Sequence, residues 1–289
     1  MKKLLAMAVT AAFTVSMLAG CGQSAETTDA SAQETETEAA GEETADTADA
    51  ASEDTAERTT FTVGFDAEFP PYGYMDESGE YTGFDLELAQ EVCDRNGWEL
   101  VKQPIDWDSK DMELSSGAID CIWNGFTMNG REDAYTFSVP YVDNSQVFVV
   151  AADSGITVFD DLAGKNVGVQ KDSSALAALE GDAADLAATF GNLTQYSDYN
   201  TAFMDLEQGA IDALAIDVGV ADYQIASRGE GFVKLSENLA SEQYGIGFKL
   251  GNVELKDQVE KTLLEMADDG TFGKIAEKYG LSDSVCLGK

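Results

Sequence analysis

The chain has 289 residues, with 17 Lys and Arg against 54 Asp and Glu, no histidine, and a formal charge of −37. Such a charge disfavours nucleic acid and anionic membrane surfaces as partners, and the lack of histidine removes the commonest general base and metal ligand. Four cysteines at these spacings suit neither a zinc site nor a disulfide framework, so no metal and no cofactor is expected.

The first element in chain order is a targeting segment at residues 1–20. Lys2 and Lys3 precede an apolar run from Leu4 to Leu18 that is too short to span a bilayer. Leu18-Ala19-Gly20-Cys21 resembles the bacterial lipoprotein cleavage box. That resemblance implies removal of residues 1–20 and lipid on Cys21, a protein anchored to the membrane without spanning it. The plain alternative is a secretory signal with an incidental cysteine. Residues 21–59 are mostly Ala, Glu, Thr, Asp and Ser without an aromatic residue, a composition that cannot bury enough apolar surface to order itself. They read as a solvated tether. The remaining part, about 230 residues, is enough for one large domain or two lobes, and it still carries a charge near −28. Cys93 and Cys121 lie in apolar patterns and read as buried small side chains, with Cys286 free near the terminus.

The folded part opens with an alternating strand at Phe61 to Phe65, followed by the loop "DAEFPPYGYM" and the turn "ESGEYTG". Phe84, Leu88, Ala89, Val92 and Cys93 share one helix face, and that helix ends near Asn96-Gly97. Strands are expected at Trp98 to Ile105, Ala118 to Trp123 and Gln146 to Ala152, with a helix ending at Ser115 between the first two. From Val158 the alternation restarts: "KNVGVQ", "LTQYS" and "IDALAI" as strands, residues 173–190, 201–209 and 218–228 as helices. "EQYGIGFKL" reads as one strand, and helices at 253–267 and 272–279 close the chain. Strands alternating with helices predict an α/β fold with mainly parallel sheets. The chain also echoes itself. "LSSGAIDCIW" from Leu114 and "LEQGAIDALAI" from Leu206 share Leu-x-x-Gly-Ala-Ile-Asp, and the order of elements around them matches, so two similar α/β lobes are expected.

In open α/β sheets ligands bind beyond the carboxyl ends of the strands. Those ends carry "DAEF", "WNGFT", "QKDSS" and "DVG". Ser173 and Ser174 open a helix, where free N–H groups and hydroxyls favour an anion; a serine that merely caps the helix is an equal alternative. The Arg131 guanidinium suits a carboxylate, or pairs with Glu132 or Asp133. Asp217, after a buried strand, suits an ammonium, or caps the next helix. Phe69 and Trp107 suit the aromatic walls of a ligand stem, or ordinary core. A carboxylate site and an ammonium site together are what an α-amino acid requires.

These segments resemble the family 3 extracellular solute-binding proteins, the amino-acid receptors of ABC importers. The resemblance covers about Thr60 to Gly280 and rests on "VGFDAEFPPYGYMDESGEYTGFDLELAQEV", "IDWDS", "LSSGAIDCIWNGFTM", "RED…FSVPY", "LAGKNVGVQKDSSA", "GAIDALAIDV" and "YGIGFK". It implies the two-lobed periplasmic-binding-protein-like fold of type II, with lobe 1 at 60–147 plus 242–289, lobe 2 at 148–241, and two hinges near Gln146-Val147 and Gln243-Tyr244. It further implies that Thr127 and Arg131 take the ligand carboxylate from lobe 1 and Ser173 and Ser174 from lobe 2. Asp217 and the Gly125 backbone take the ammonium, Phe69 and Trp107 form the walls, and Asp66, Asp85, Asn124 and Gln170 face the ligand side chain. Two departures stand out. "TMNGR" is one residue shorter than the family's usual threonine-to-arginine spacing, and Asp172 stands where a glycine is usual, so its charge must point away from the carboxylate site.

Asp66, Asn124 and Gln170 with two aromatic residues favour a polar and cationic side chain, arginine, lysine or histidine; glutamine and cystine are the alternatives. The expectation is therefore a monomeric, non-enzymatic receptor on the extracellular face of a bacterial cell membrane, held there through Cys21. Its partners would be a free L-amino acid and an ABC permease, not nucleic acid. A dehydratase-like enzyme and a ligand-sensing lipoprotein on the same fold are the competing classes.

Overall fold

The computed structural model describes residues 58–288. The expected leader at 1–20, the lipidation site Cys21 and nearly all of the tether at 21–59 lie outside the described residues.

Two sheets organise the described chain. The first has the strand order Glu99–Pro104, Thr60–Phe65, Cys121–Ile122, Gly247–Lys249, Tyr135–Phe137. Its first three strands are parallel, Gly247–Lys249 runs against them, and Tyr135–Phe137 pairs antiparallel with Gly247–Lys249. The second has the order Asn192–Tyr196, Asn166–Gln170, Ala213–Asp217, Val142–Ala151, Phe232–Lys234, with Ala240–Tyr244 also paired to Val142–Ala151. Here too three parallel strands are extended by antiparallel ones, so both sheets are mixed. The chain enters the second sheet through Val142–Ala151 and returns to the first between Ala240–Tyr244 and Gly247–Lys249. The loop after Phe65 contains a small antiparallel sheet of Glu68–Phe69, Gly73–Met75 and Tyr81–Thr82.

The repeated Leu-x-x-Gly-Ala-Ile-Asp does the same work twice. Gly117 and Gly209, at φ of 80° and 71°, turn the chain out of a helix. The aspartate that follows then clamps the parallel strand beside it. Asp120 takes the Thr62 N–H on Oδ2 at 2.7 Å and gives its own N–H to Thr62 O at 2.8 Å. Asp212 does so with Asn166, at 2.8 Å and 2.7 Å. The helix–glycine–strand order thus reflects one supersecondary unit used in both halves.

One apolar cluster runs through both halves. Phe69 and Tyr72 from the first meet Tyr199 at 5.9 Å and Tyr244 at 5.3 Å between ring centroids. The outer faces are closed by two further clusters, around Leu162, Val167 and Leu179 in the second half and around Ile119, Ile122 and Phe126 in the first. Cys93 and Cys121 are buried, and burial pushes both thiols up in pKa, Cys93 to about 12. Such thiols are inert.

Two predicted elements divide. The helix expected over 173–190 is Ser174–Glu180 and Ala184–Ala187, interrupted at Gly181. "EQYGIGFKL" becomes Ala240–Tyr244 in the second sheet and Gly247–Lys249 in the first, because the chain changes sheets at Gly245. No helix among the described residues is long and apolar enough to cross a membrane.

Candidate functional site

The carboxyl ends of the parallel strands and the aromatic seam enclose a narrow cavity lined by Phe69, Trp107, Gly125, Thr127, Arg131, Gln170, Ser173, Ser174 and Asp217. Nine of the twelve residues singled out in the sequence therefore come together. The free volume is about 20 Å³, room for about one water. The two halves are closed on each other.

Asp217 ends the strand Ala213–Asp217 and precedes the helix Val218–Arg228, yet it makes no capping hydrogen bond to that helix. Its carboxylate turns inward instead. Oδ1 accepts from Tyr244 Oη at 2.5 Å, Gln146 Nε2 at 2.6 Å and Asn144 Nδ2 at 2.9 Å, and Oδ2 from Tyr199 Oη at 3.3 Å. Strand register explains the set: Gln146 lies opposite Asp217, and Asn144 is two residues away on the same face. Burial, and then the neighbouring Glu242 carboxylate, raise the Asp217 pKa to about 7, against hydrogen bonds that lower it.

Ser173 caps the helix Ser174–Glu180. Its hydroxyl accepts from Leu176 N–H at 3.1 Å and donates to Gln170 O at 2.8 Å, so both of its functions are committed. The capping alternative holds for this hydroxyl, and Ser174 is the one that meets the other half: Thr127 Oγ1 donates to Ser174 Oγ at 3.3 Å. Arg131 donates to two backbone carbonyls, Thr127 O at 3.1 Å and Asp172 O at 3.3 Å, and its guanidinium lies 5.1 Å from the Phe126 ring centroid. The shortened "TMNGR" loop still delivers it to the cavity. Asp172, at φ 53°, directs its carboxylate away, to Lys110. Lys110 is buried, its ammonium 5.1 Å from the Trp107 ring centroid, so the Asp172 charge is answered within the protein.

Gly125 sits at φ 57°, where a Cβ would come within 2.9 Å of both Phe69 and Tyr244. Its N–H donates to Asp85 Oδ2 at 2.6 Å. Asp85 itself does not line the cavity. It is fully buried behind Gly125, also takes the Tyr141 hydroxyl at 2.9 Å, and burial raises its pKa to about 7. The expectation that Asp85 faces a ligand is corrected accordingly: it holds the backbone of the loop. Asn124 is likewise set back, its Oδ1 accepting from Asp66 N–H at 3.0 Å. Asp66 is separated from the cavity by Gln170, which donates to Asp66 Oδ2 at 2.7 Å. Burial raises the Asp66 pKa to about 6. Beyond that pair lies a second cavity of about 420 Å³ whose charged lining is acidic throughout, with Asp66, Glu68, Asp106, Glu113 and Asp198. Trp107 borders both spaces.

Five further buried residues frame the site: Gln146 and Tyr244, which sequence reasoning named only as hinge positions, and Asn144, Tyr199 and Glu242, which it missed. The available signal was period two in "DNSQ" and "EQY", which puts Asn144 with Gln146 and Glu242 with Tyr244 on common strand faces.

The fold and this cleft define a two-lobed solute-binding protein of the type II periplasmic class. The chain belongs to the bacterial extracellular solute-binding proteins, family 3, whose model matches residues 61–282. It is 30% identical to the L-cystine-binding protein TcyJ of Escherichia coli K12, over 77% of this chain and 83% of that protein. It resembles the crystal structure of an ABC uptake transporter substrate-binding protein from Streptococcus pneumoniae with bound histidine, at 34% identity and a TM-score of 0.75, covering 78% of this chain and 94% of that one. An ancestral arginine-binding protein bound to arginine matches at 35% identity and a TM-score of 0.71, covering 77% and 99%.

Proposed function

We propose that the protein is a receptor that captures a cationic L-amino acid between its halves and delivers it to an ABC importer. The observation that carries this reading is the division of charge along the cleft. Arg131, Thr127 and Ser174 gather at one side, Asp217 stands beside them, and past Gln170 every charged residue of the lining is acidic. A ligand carboxylate would take the guanidinium and hydroxyls, and its ammonium would take Asp217 and the Gly125 carbonyl. The stem would lie between Phe69 and Trp107, and a cationic head would displace Gln170 from Asp66. Closure makes contacts from both halves available at once, so the ligand favours the closed form by its greater affinity for it. Relatives that take cystine, histidine and arginine support the amino-acid class.

The wider assignment belongs to the same proposal. Lobe 1 is 60–147 plus 242–289 and lobe 2 is 148–241. Cys21 carries lipid, which holds a monomeric receptor at the outer face of the membrane near its permease. The protein is a receptor and not an enzyme. Turnover of any amino acid it binds would overturn that.

The test is thermal unfolding of the chain against the twenty amino acids and cystine, because a ligand of the native state raises the midpoint by mass action. A shift with arginine, lysine or histidine, lost in Asp217→Ala and Arg131→Ala, is expected. A shift with cystine or glutamine alone would keep the receptor and discard the cationic pocket. No shift at all would remove the amino-acid class.

A further inference from the structure

Glu242 places a carboxylate where the proposed function puts the ligand's. It lies on the strand Ala240–Tyr244, opposite Asn144, and is buried. Four side chains converge on its single oxygen Oε1: Asn144 Nδ2 at 2.7 Å, Gln146 Nε2 at 2.8 Å, Thr127 Oγ1 at 3.0 Å and Ser174 Oγ at 3.1 Å. Thr127 belongs to the first half and Ser174 to the second, so this one oxygen ties the halves together. The same two hydroxyls are those a ligand carboxylate would need, since Ser173 is committed to its cap.

We propose that Glu242 is an internal stand-in for the ligand carboxylate: it occupies the Thr127–Ser174 cradle in the ligand-free closed form and must leave when a ligand enters. The inference rests on the amino-acid reading above. Two further observations support it. Thr127 and Ser174 line the cavity, whose free volume of about 20 Å³ leaves no room for a guest carboxylate beside their hydroxyls while these stay turned to Glu242. Glu242 also borders an open cavity of about 520 Å³, which shares Arg131, Ser173 and Ser174 with the narrow one and gives the side chain somewhere to swing. The tenancy is also imperfect. Asn144 Oδ1 and Gln146 Oε1 are buried without a hydrogen-bond partner, because both amides turn their N–H groups towards carboxylates. A guest that brings its own ammonium donors relieves what Glu242 leaves unsatisfied. Arg131, whose bonds go to backbone carbonyls, stays available to the guest rather than to Glu242.

The experiment compares wild type, Glu242→Ala and Glu242→Gln by calorimetric titration with L-arginine, L-histidine and L-cystine, and with agmatine, histamine and cystamine, which lack the α-carboxylates. Small-angle scattering of each ligand-free protein accompanies it. Whichever amino acid binds wild type should bind Glu242→Ala about tenfold tighter, since a site occupied by its own side chain is competent only part of the time. The gain should be absent for the decarboxylated counterpart, and ligand-free Glu242→Ala should have the larger radius of gyration. Glu242→Gln, which keeps the bulk, should gain less with the same sign, and it carries the test if the alanine variant does not fold. Unchanged or weaker binding in the folded variants, or an equal gain for the amines, would overturn the proposal. If none of the three binds wild type but another amino acid raises its unfolding midpoint, that amino acid and its decarboxylated counterpart take their place; if none of the twenty does, the amino-acid reading falls. Expansion of Glu242→Ala would then still uphold the bridge between the halves, and its absence would remove that as well.

Discussion

Asp217 and Glu242 accept hydrogen bonds from the same two amides, Asn144 Nδ2 and Gln146 Nε2. Two buried carboxylates thus share their donors with no cation between them, and Asp217 responds with a pKa near 7. Asp66 and Asp85 are raised as well, to about 6 and about 7, each chiefly by burial. All three bind a proton more tightly folded than unfolded. Between pH 4 and 7 the native state therefore holds more protons than the unfolded state, and stability falls as pH rises through that window. The ligand-free midpoint should be higher at pH 5 than at pH 8, and Asp217→Asn should flatten the slope. A midpoint that rises with pH would contradict these three burials.

The ligand side of the same titration has the opposite sign. An ammonium needs Asp217 ionised, so affinity for an amino acid should increase from pH 5.5 to 8 and binding near pH 6.5 should release a proton. Calorimetry in two buffers of different ionisation enthalpy measures that release directly. Equal apparent enthalpies in both buffers would mean that Asp217 is already ionised before the ligand arrives.

Arg131 reaches the cavity through two N–H groups held by Thr127 O and Asp172 O, one carbonyl from each half. Lysine has the charge but not the fork. Arg131→Lys should leave the ligand-free midpoint within a few degrees and weaken amino-acid binding by about 1.5–3 kcal/mol, the range for a hydrogen bond to a charged group. Binding within twofold of wild type would remove Arg131 from the carboxylate contacts.

Much of this was legible in the sequence, for identifiable reasons. The helices Phe84–Asn96 and Val218–Arg228 follow from their apolar spacing and, for the first, the Gly97 stop, and the repeated Gly-Ala-Ile-Asp announced the paired halves. Periodicity reports burial, however, and not which sheet does the burying, so "EQYGIGFKL" gave no sign of its break at Gly245. The same limit hid Glu242. An acidic residue in a strand reads as solvent-facing, and it takes Asn144, Gln146, Thr127 and Ser174, all distant in sequence, to enclose it. Asp85 failed in the other direction. Its helix position was right, but its carboxylate is taken by the Gly125 N–H and the Tyr141 hydroxyl, partners far away in sequence.

Lys110 and Asp172 form the ion pair that keeps the Asp172 charge off the carboxylate cradle, and they do so across the halves. The two ends differ in surroundings: the Lys110 side chain is 2% exposed and that of Asp172 is 53% exposed. Removing the acid leaves a buried ammonium without its partner, whereas removing the lysine leaves a carboxylate that water can reach. Asp172→Asn keeps a residue that tolerates the left-handed backbone at φ 53° and so isolates the charge from the conformation. It should lower the ligand-free midpoint more than Lys110→Met does, because methionine fills the same apolar slot beside Trp107 without a charge to satisfy. Adding Asp172→Asn to Lys110→Met should then cost almost nothing further. The two changes combined would reveal a coupling on the order of 1–2 kcal/mol, within the range of about 0.5–3 kcal/mol for contacting residues. Strict additivity in that cycle, measured by chemical denaturation, would show that Lys110 and Asp172 are neighbours without being partners.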